Sequence, residues 1–370
     1  MEYVISSPQQ KKDFFDFVRR RIEENTMPPI IKYICLNNVT VRVQCYTEKI
    51  LLLLKQQFTY VLRDNADKYN ATIVVWEEPE PRYFLAPFSS QFDPRKNIQL
   101  RLDNVLFHKF YVRIRENING NSAFMEIDDD TGNINAYDAQ ENTYYIGSKS
   151  LIDDDIIKIK WCHLFVLQLY RICNTPTTHL VHGAVIGLNG KGVLLCARGG
   201  GGKSTLSVNA LLDNFEFVSE DFLVLQKEKD VLYASPIYSV INLSPKMYAA
   251  MYERFASKFI SNNTRLDKYV FNIAAYHQQF RDKYPLKLCM SLSICPNIKE
   301  PEIIIGNIGP AITRLIHSTI SQNEDIYNTT AVKKMVDFIK PLPCYHINLC
   351  PDIEKNTQCL RNFLTSYKGE

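Results

Sequence analysis

An α/β fold with a largely mixed sheet is expected for residues 151–370, preceded by a smaller α+β domain over residues 1–150. Three observations lead there. The chain has 370 residues, and a domain takes ~100–200, which fits two domains. The apolar run Val193-Leu194-Leu195-Cys196 leads through a glycine-rich stretch into Thr205–Leu212, which has helical spacing; this is a strand–loop–helix unit. Elsewhere short apolar segments alternate with turn residues, as the strands of a sheet do.

In chain order, residues 10–25 read as a helix with a solvated face made by Lys11, Lys12, Arg19, Arg20, Arg21, Glu23 and Glu24. Tyr33–Val43 reads as strands, Glu48–Leu62 as a helix and Ala71–Trp76 as a strand. Phe124–Ile127 and Ile134–Tyr137 read as the arms of a hairpin about the turn Asp129–Asn133. The aspartates there lack the terminal glutamate of a calcium loop, so a plain turn is expected. Asp153-Asp154-Asp155 offers an acidic start to a helix running from about Ile156 to Cys173. Its buried side would carry Ile159, Cys162, Leu164, Phe165, Val166 and Leu169, and Asn174-Thr175-Pro176 stops it. The domain boundary is placed near this helix. Further strands are expected at Ala184–Leu188 and Phe215–Val218.

Composition bounds the function. Hydrophobic residues make up 46% of the chain and charged residues 22%, as in an ordinary globular protein with a core. The net charge of +3 argues against nucleic acid or an acidic membrane as partner. Ten scattered cysteines form no C-x-x-C pair, which points to a reducing cytoplasm. Met1–Pro8 has no basic head before an apolar run, and Ile50–Leu54 is far too short to span a bilayer. A homo-oligomer stays open.

The chemistry concentrates between Ala197 and Thr205. Gly199, Gly200, Gly201 and Gly202 would let backbone N–H groups close around phosphate oxygens without Cβ clashes, with Arg198 beside them. A helix starting at Lys203 would aim its unpaired N–H groups and positive dipole end at the same anion. Lys203 would neutralise the β- and γ-phosphates, the Ser204 hydroxyl would ligate Mg²⁺, and Thr205 completes the motif. A nucleoside triphosphate, ATP with Mg²⁺, is the expected ligand; a flexible glycine linker ending in Lys-Ser is the plainer alternative. His182-Gly183 opens the hairpin that feeds the loop through the turn Asn189-Gly190-Lys191-Gly192. Glu220-Asp221 ends the strand after the helix, where one carboxylate could hold Mg²⁺ and the other receive a hydroxyl proton. Taken singly, His182 also suits a buried structural histidine and the two acids a solvated turn.

His182-Gly183, the hairpin, the loop with Lys203-Ser204-Thr205 and then Val218-Ser219-Glu220-Asp221 together resemble the catalytic domain of HPr kinase/phosphorylase. They look equally like the related peptide and serine kinases, and more distantly like ATP-dependent phosphoenolpyruvate carboxykinase. The specific motif covers residues 179–225; a looser similarity in layout runs on, and implies strands between Pro236 and Pro245, at Leu286–Cys295, Ile303–Ile305 and Cys344–Leu349, before a last helix. The resemblance implies a P-loop domain of that type and transfer of a phosphoryl group from ATP to a hydroxyl of a peptide, protein or small molecule. It implies that His182 lies near the metal or phosphate, that Glu220 takes the proton and that Asp221 holds Mg²⁺ with Ser204. The chain departs from the family at Ala197, which replaces the loop's first glycine, and at Glu220, which replaces an aspartate. It also lacks the glycine- and arginine-bearing signature after the acids, which turns the expected acceptor away from HPr. Arg198, Lys246 and Arg254 are the cations expected to close the site. An ATP-binding regulatory module without transfer, and a carboxykinase-like lyase, are the alternatives. Residues 1–150 carry no motif, and substrate or partner recognition is their expected role.

Overall fold

The computed structural model describes residues 8–24, 27–78, 109–112, 124–128, 133–148, 155–255, 261–265, 268–320 and 329–368. They form a mixed α/β protein of two compact units. The first comprises Met1–Cys35, Thr40–Lys55 and Leu62–Gln168; the second comprises Leu36–Val39, Gln56–Val61 and Leu169–Glu370.

The first unit begins with α1 (Pro8–Glu23), started by a proline that needs no N–H partner there. Besides its charged face it has a buried one, Phe15, Val18 and Ile22. Then come β1 (Ile30–Leu36), β2 (Val39–Cys45) and α2 (Glu48–Phe58). This helix ends four residues earlier than expected, where β-branched Thr59 and Val61 precede the short β3 (Leu62–Arg63). After β4 (Ala71–Glu77) come β5 (Lys109–Val112), β6 (Phe124–Asp128), β7 (Asn133–Asp138) and β8 (Thr143–Ser148). The eight strands run β3-β1-β2-β4-β8-β7-β6-β5 in one sheet, parallel at β2–β4 and β4–β8. β6 and β7 pair as the expected hairpin; most of its turn lies outside the described residues, as do Asp153 and Asp154. α3 (Asp155–Cys173) follows, with Cys162, Phe165, Val166 and Leu169 buried and Leu164 half-buried. The Ile159 side chain lies outside the description.

The second unit continues with β9 (Thr178–His182), β10 (Ala184–Leu188), β11 (Lys191–Cys196), α4 (Lys203–Leu212), β12 (Glu216–Ser219), β13 (Phe222–Glu228), β14 (Val231–Pro236) and β15 (Val240–Leu243). Next come α5 (Pro245–Phe255), β16 (Ser261–Arg265), β17 (Lys268–Asn272), β18 (Tyr284–Ile294), β19 (Glu302–Ile305), α6 (Ile308–Ile320), α7 (Thr329–Ile339), β20 (Cys344–Leu349) and α8 (Ile353–Ser366). Nine strands form its main sheet, ordered β12-β10-β11-β18-β14-β13-β9, with β20 beside β18 and β19 beside β20. β11 and β20 run parallel to β18, and the other pairs are antiparallel. β15, β17 and β16 make a small antiparallel sheet.

Alternation along β11 explains the layers. Val193, Leu195 and Ala197 pack with Leu206, Ala210 and Leu211 of α4 and Leu360 and Leu364 of α8. Leu194 and Cys196 face the other way, onto Ala311, Ile312 and Leu315 of α6 and Met335 and Phe338 of α7. A strand covered on both faces must be apolar throughout, which is why this one reads as an unbroken run. Each such leucine or valine, once buried, contributes ~1.5–3 kcal/mol. Asn189 and Gly190 hold positive φ values of 53° and 78° in the β10–β11 turn, as a two-residue hairpin requires. All ten cysteines are free thiols, and no described helix is long and apolar enough to cross a membrane.

Gly192 sits where β11 meets β18: a Cβ there would lie 2.3 Å from the Pro285 carbonyl oxygen. Gly192→Ala is expected to lower stability by ~1–3 kcal/mol, the usual cost of forced overpacking. Urea and thermal unfolding of the two proteins would check this.

Candidate functional site

Two connections bring the polar residues together. His182 lies opposite Phe222 in the β9–β13 pairing, and Val185 lies opposite Ser219 in the β10–β12 pairing. These pairs are three residues apart on both strands, so one antiparallel register runs through both pairings. The Gly183 amide donates to the Asp221 carbonyl at 2.9 Å inside the break. His182-Gly183 and Glu220-Asp221 are therefore neighbours at the point where the two ends of the strand order meet.

Consecutive residues of an extended chain point to opposite sides, and the two acids part accordingly. Asp221 Oδ1 is 3.0 Å from His182 Nε2. Glu220 is buried, and its Oε1 accepts from the Asn242 amide of β15 at 2.9 Å. An unsatisfied amide in that setting would be costly, so Glu220 has a structural duty that its sequence position did not reveal.

The glycine-rich loop leaves β11 at Cys196 and enters α4 at Lys203. Gly200 and Gly202 take φ values of 72° and 91°, a region that excludes most side chains. The Gly201 amide donates to the Arg198 carbonyl at 3.0 Å, and helical bonding starts with the Leu206 amide on the Gly202 carbonyl at 2.9 Å. Above Gly199 and Gly200 a Cβ would meet nothing within 4 Å, so that side of the loop is open. Lys203 is buried, and its Nζ donates to the Ala197 carbonyl at 2.8 Å and to Ser318 Oγ at 3.2 Å. Burial pushes its ammonium below the ordinary lysine value, while Cys196, Asp221 and Glu220 act in the opposite sense. Ser204 is half-buried in the first turn, and the Thr205 hydroxyl donates to Met247 Sδ at 3.1 Å.

The expected cations separate. Arg198 and Lys246 are exposed. Arg254 bonds Asn209 and pairs with Asp213 at 2.5 Å. Asp213 caps the C-terminal end of α4, the end away from the loop, so Arg254 does not close the site. Sequence reasoning passed over α6. Its Arg314 donates to the Leu292 carbonyl at 3.0 Å and to Ser293 Oγ at 3.1 Å, at the end of the strand beside β11. Its Ser318 and Thr319 both bond His182. No motif marks Ser318 and Thr319, because more than a hundred positions separate them from His182.

The chain matches no protein-family model and no curated protein. Among solved structures it is similar to the HPr(Ser) kinase/phosphatase from Coxiella burnetii, at a TM-score of 0.29 and 14% identity, over 52% of this chain and 99% of that chain. A likeness at that level defines neither family nor activity.

Glu220→Ala would leave the buried Asn242 amide without its carboxylate acceptor and is expected to lower stability by about 1–3 kcal/mol. Glu220→Gln keeps an oxygen in place and should cost less. Equal melting temperatures for the two variants would contradict the structural role given to Glu220.

Proposed function

We propose that this chain transfers the γ-phosphoryl group of ATP to a hydroxyl of a peptide, protein or small molecule, in a P-loop domain of the HPr kinase type. The observation that carries this is convergence. Lys203 at the start of α4 and the His182–Asp221 pair belong to one hydrogen-bonded cluster beside an open glycine-rich loop. A module that only bound nucleotide would need the loop and its lysine, but not a histidine and an acid at the same place.

The residues present suit the ligand. The loop is open above Gly199 and Gly200, and Lys203 stands at its base. Among the described residues no group of three or more His, Cys, Asp or Glu could hold a metal ion. Mg²⁺ takes one or two protein ligands and fills its shell with water and phosphate oxygens. Held by the Ser204 hydroxyl and the Asp221 carboxylate, it would neutralise charge on the phosphate oxygens. Lys203 and the loop amides would stabilise the charge that grows on the transferring group. Of the two acids, Asp221 is also the better placed to accept a proton, which takes from Glu220 the role read from sequence. It stands against His182, whereas Glu220 is tied to the Asn242 amide.

Lys203→Ala is expected to cut ATP affinity about tenfold or more, since a lost hydrogen bond to a charged group costs ~1.5–3 kcal/mol. A titration calorimetry curve like the wild type's would remove the basis for nucleotide binding. Asp221→Asn is expected to slow transfer by roughly 10²–10⁴-fold, the scale of general-base catalysis, with a smaller change in ATP affinity. Incubation of the full chain with ATP, Mg²⁺ and a panel of peptides and small alcohols should yield a phosphate ester that resists hydroxylamine. ATP binding with no phosphorylated product would leave a binding module. A labile acyl phosphate, or decarboxylation of oxaloacetate, would move the assignment to a carboxykinase.

A further inference from the structure

Ser318 takes no part in the chemistry proposed above, yet it is the residue on which that cluster converges. It is 2% exposed and lies in the last turn of α6. Its hydroxyl oxygen is 3.2 Å from Lys203 Nζ and 2.7 Å from His182 Nδ1, and its carbonyl oxygen is 3.1 Å from the same ring nitrogen. The next residue fastens the backbone: the His182 amide donates to Thr319 Oγ1 at 3.1 Å, and that hydroxyl donates to the Leu315 carbonyl at 2.7 Å.

The direction of the bonds follows from what each group can do. An ammonium only donates, so Ser318 Oγ accepts from Lys203. A carboxylate only accepts, so His182 Nε2 carries the hydrogen that faces Asp221. On a singly protonated ring Nδ1 is then an acceptor, and the hydrogen of the Ser318 hydroxyl is the donor beside it. The chain of donation runs from Lys203 to Ser318, to His182, to Asp221. The geometry points to Ser318 as a positioning residue that fixes the aim of the His182 ring and joins the loop lysine to the His182–Asp221 pair. As a statement about catalysis this rests on the phosphotransferase proposal; as a statement about the ring it does not.

Removing the hydroxyl has a defined effect. The Ser318 carbonyl belongs to the last turn, where carbonyls lack partners within the helix, and it can only accept. Without the hydroxyl, Nδ1 would face only that carbonyl, acceptor against acceptor, while the Asp221 carboxylate, the stronger acceptor, keeps the ring hydrogen on Nε2. The ring would turn away from α6 and carry Nε2 off its line to Asp221, while the loop would keep its shape.

The test is Ser318→Ala in the full chain, with ¹⁵N-labelled histidine and the His182 signals assigned by their loss in His182→Gln. Both proteins are expected to carry hydrogen on Nε2, and only the alanine variant to show the Nδ1 signal moved toward that of an imine nitrogen that accepts no hydrogen bond, both read without nucleotide. The alanine variant should also lose about tenfold or more in the rate of phosphoryl transfer, with ATP affinity changed by less than about threefold. Ser318→Thr, which keeps a hydroxyl, should restore the Nδ1 signal and the rate; should threonine not fold, the Nδ1 signal in the alanine variant decides alone. A wild-type ring with hydrogen on Nδ1, or an alanine variant with unchanged Nδ1 signal and rate, overturns the inference. Absence of ATP binding by the wild type would overturn the phosphotransferase proposal instead, and the ring signals would still report on Ser318.

Discussion

The bond from the Gly183 amide to the Asp221 carbonyl is the constraint on which the second unit is built. It keeps two strands in one register while each passes from one end of the strand order to the other. Ordinary strand pairing would carry polar side chains to a solvated face. Here the pairing turns at residues 182–184 and 220–221, and the break is where a histidine and two acids come together. A sheet edge lays bare unpaired amides and carbonyls, and joining the two ends through these connections puts such groups to local use.

The helices on the two faces play unequal parts. α4 supplies Lys203 from one side, and α6 supplies Ser318, Thr319 and Arg314 from the other. A buried ammonium is unfavourable unless it finds acceptors. Lys203 finds two, one from its own loop and one from α6. The far end of α4 is secured separately: Arg254 pairs with Asp213, and Arg361 bonds the Asp213 carbonyl and lies 4.6 Å from the centre of the Phe215 ring. Positive side chains suit the negative end of a helix dipole. These arginines therefore stabilise the element that presents the loop without approaching the loop itself.

Much of this was legible in the residues. β11 and α4 declared themselves because a doubly covered strand must be apolar and a loop with left-handed backbone must be glycine-rich. The β10–β11 turn was legible for the same conformational reason. The acid pair was visible, but its division of labour was not. Which of Glu220 and Asp221 faces His182 depends on strand alternation about a break, and the Asn242 amide that holds Glu220 comes from a strand folded over from elsewhere. Arg254 misled because charge alone does not tell which end of a helix a side chain will reach. The contribution of α6 was illegible, since a serine and a threonine at the end of an amphipathic helix look the same whether they meet solvent or a histidine.

The loop's internal bonds have a consequence for selectivity. With the Gly201 amide on Arg198 and the Lys203 ammonium on Ala197 and Ser318, the cradle is held in shape by its own atoms, and little conformational freedom remains to be lost on complex formation. Lys203, however, already has neutral acceptors. A guest offering only neutral oxygens would merely exchange one such acceptor for another, with no net gain. Charge-assisted hydrogen bonds are about twice as strong as neutral ones, so a multiply charged guest gains where an uncharged one of the same shape does not. Under the proposed function the satisfied lysine would act as a threshold, discriminating by the charge of what enters rather than by its size.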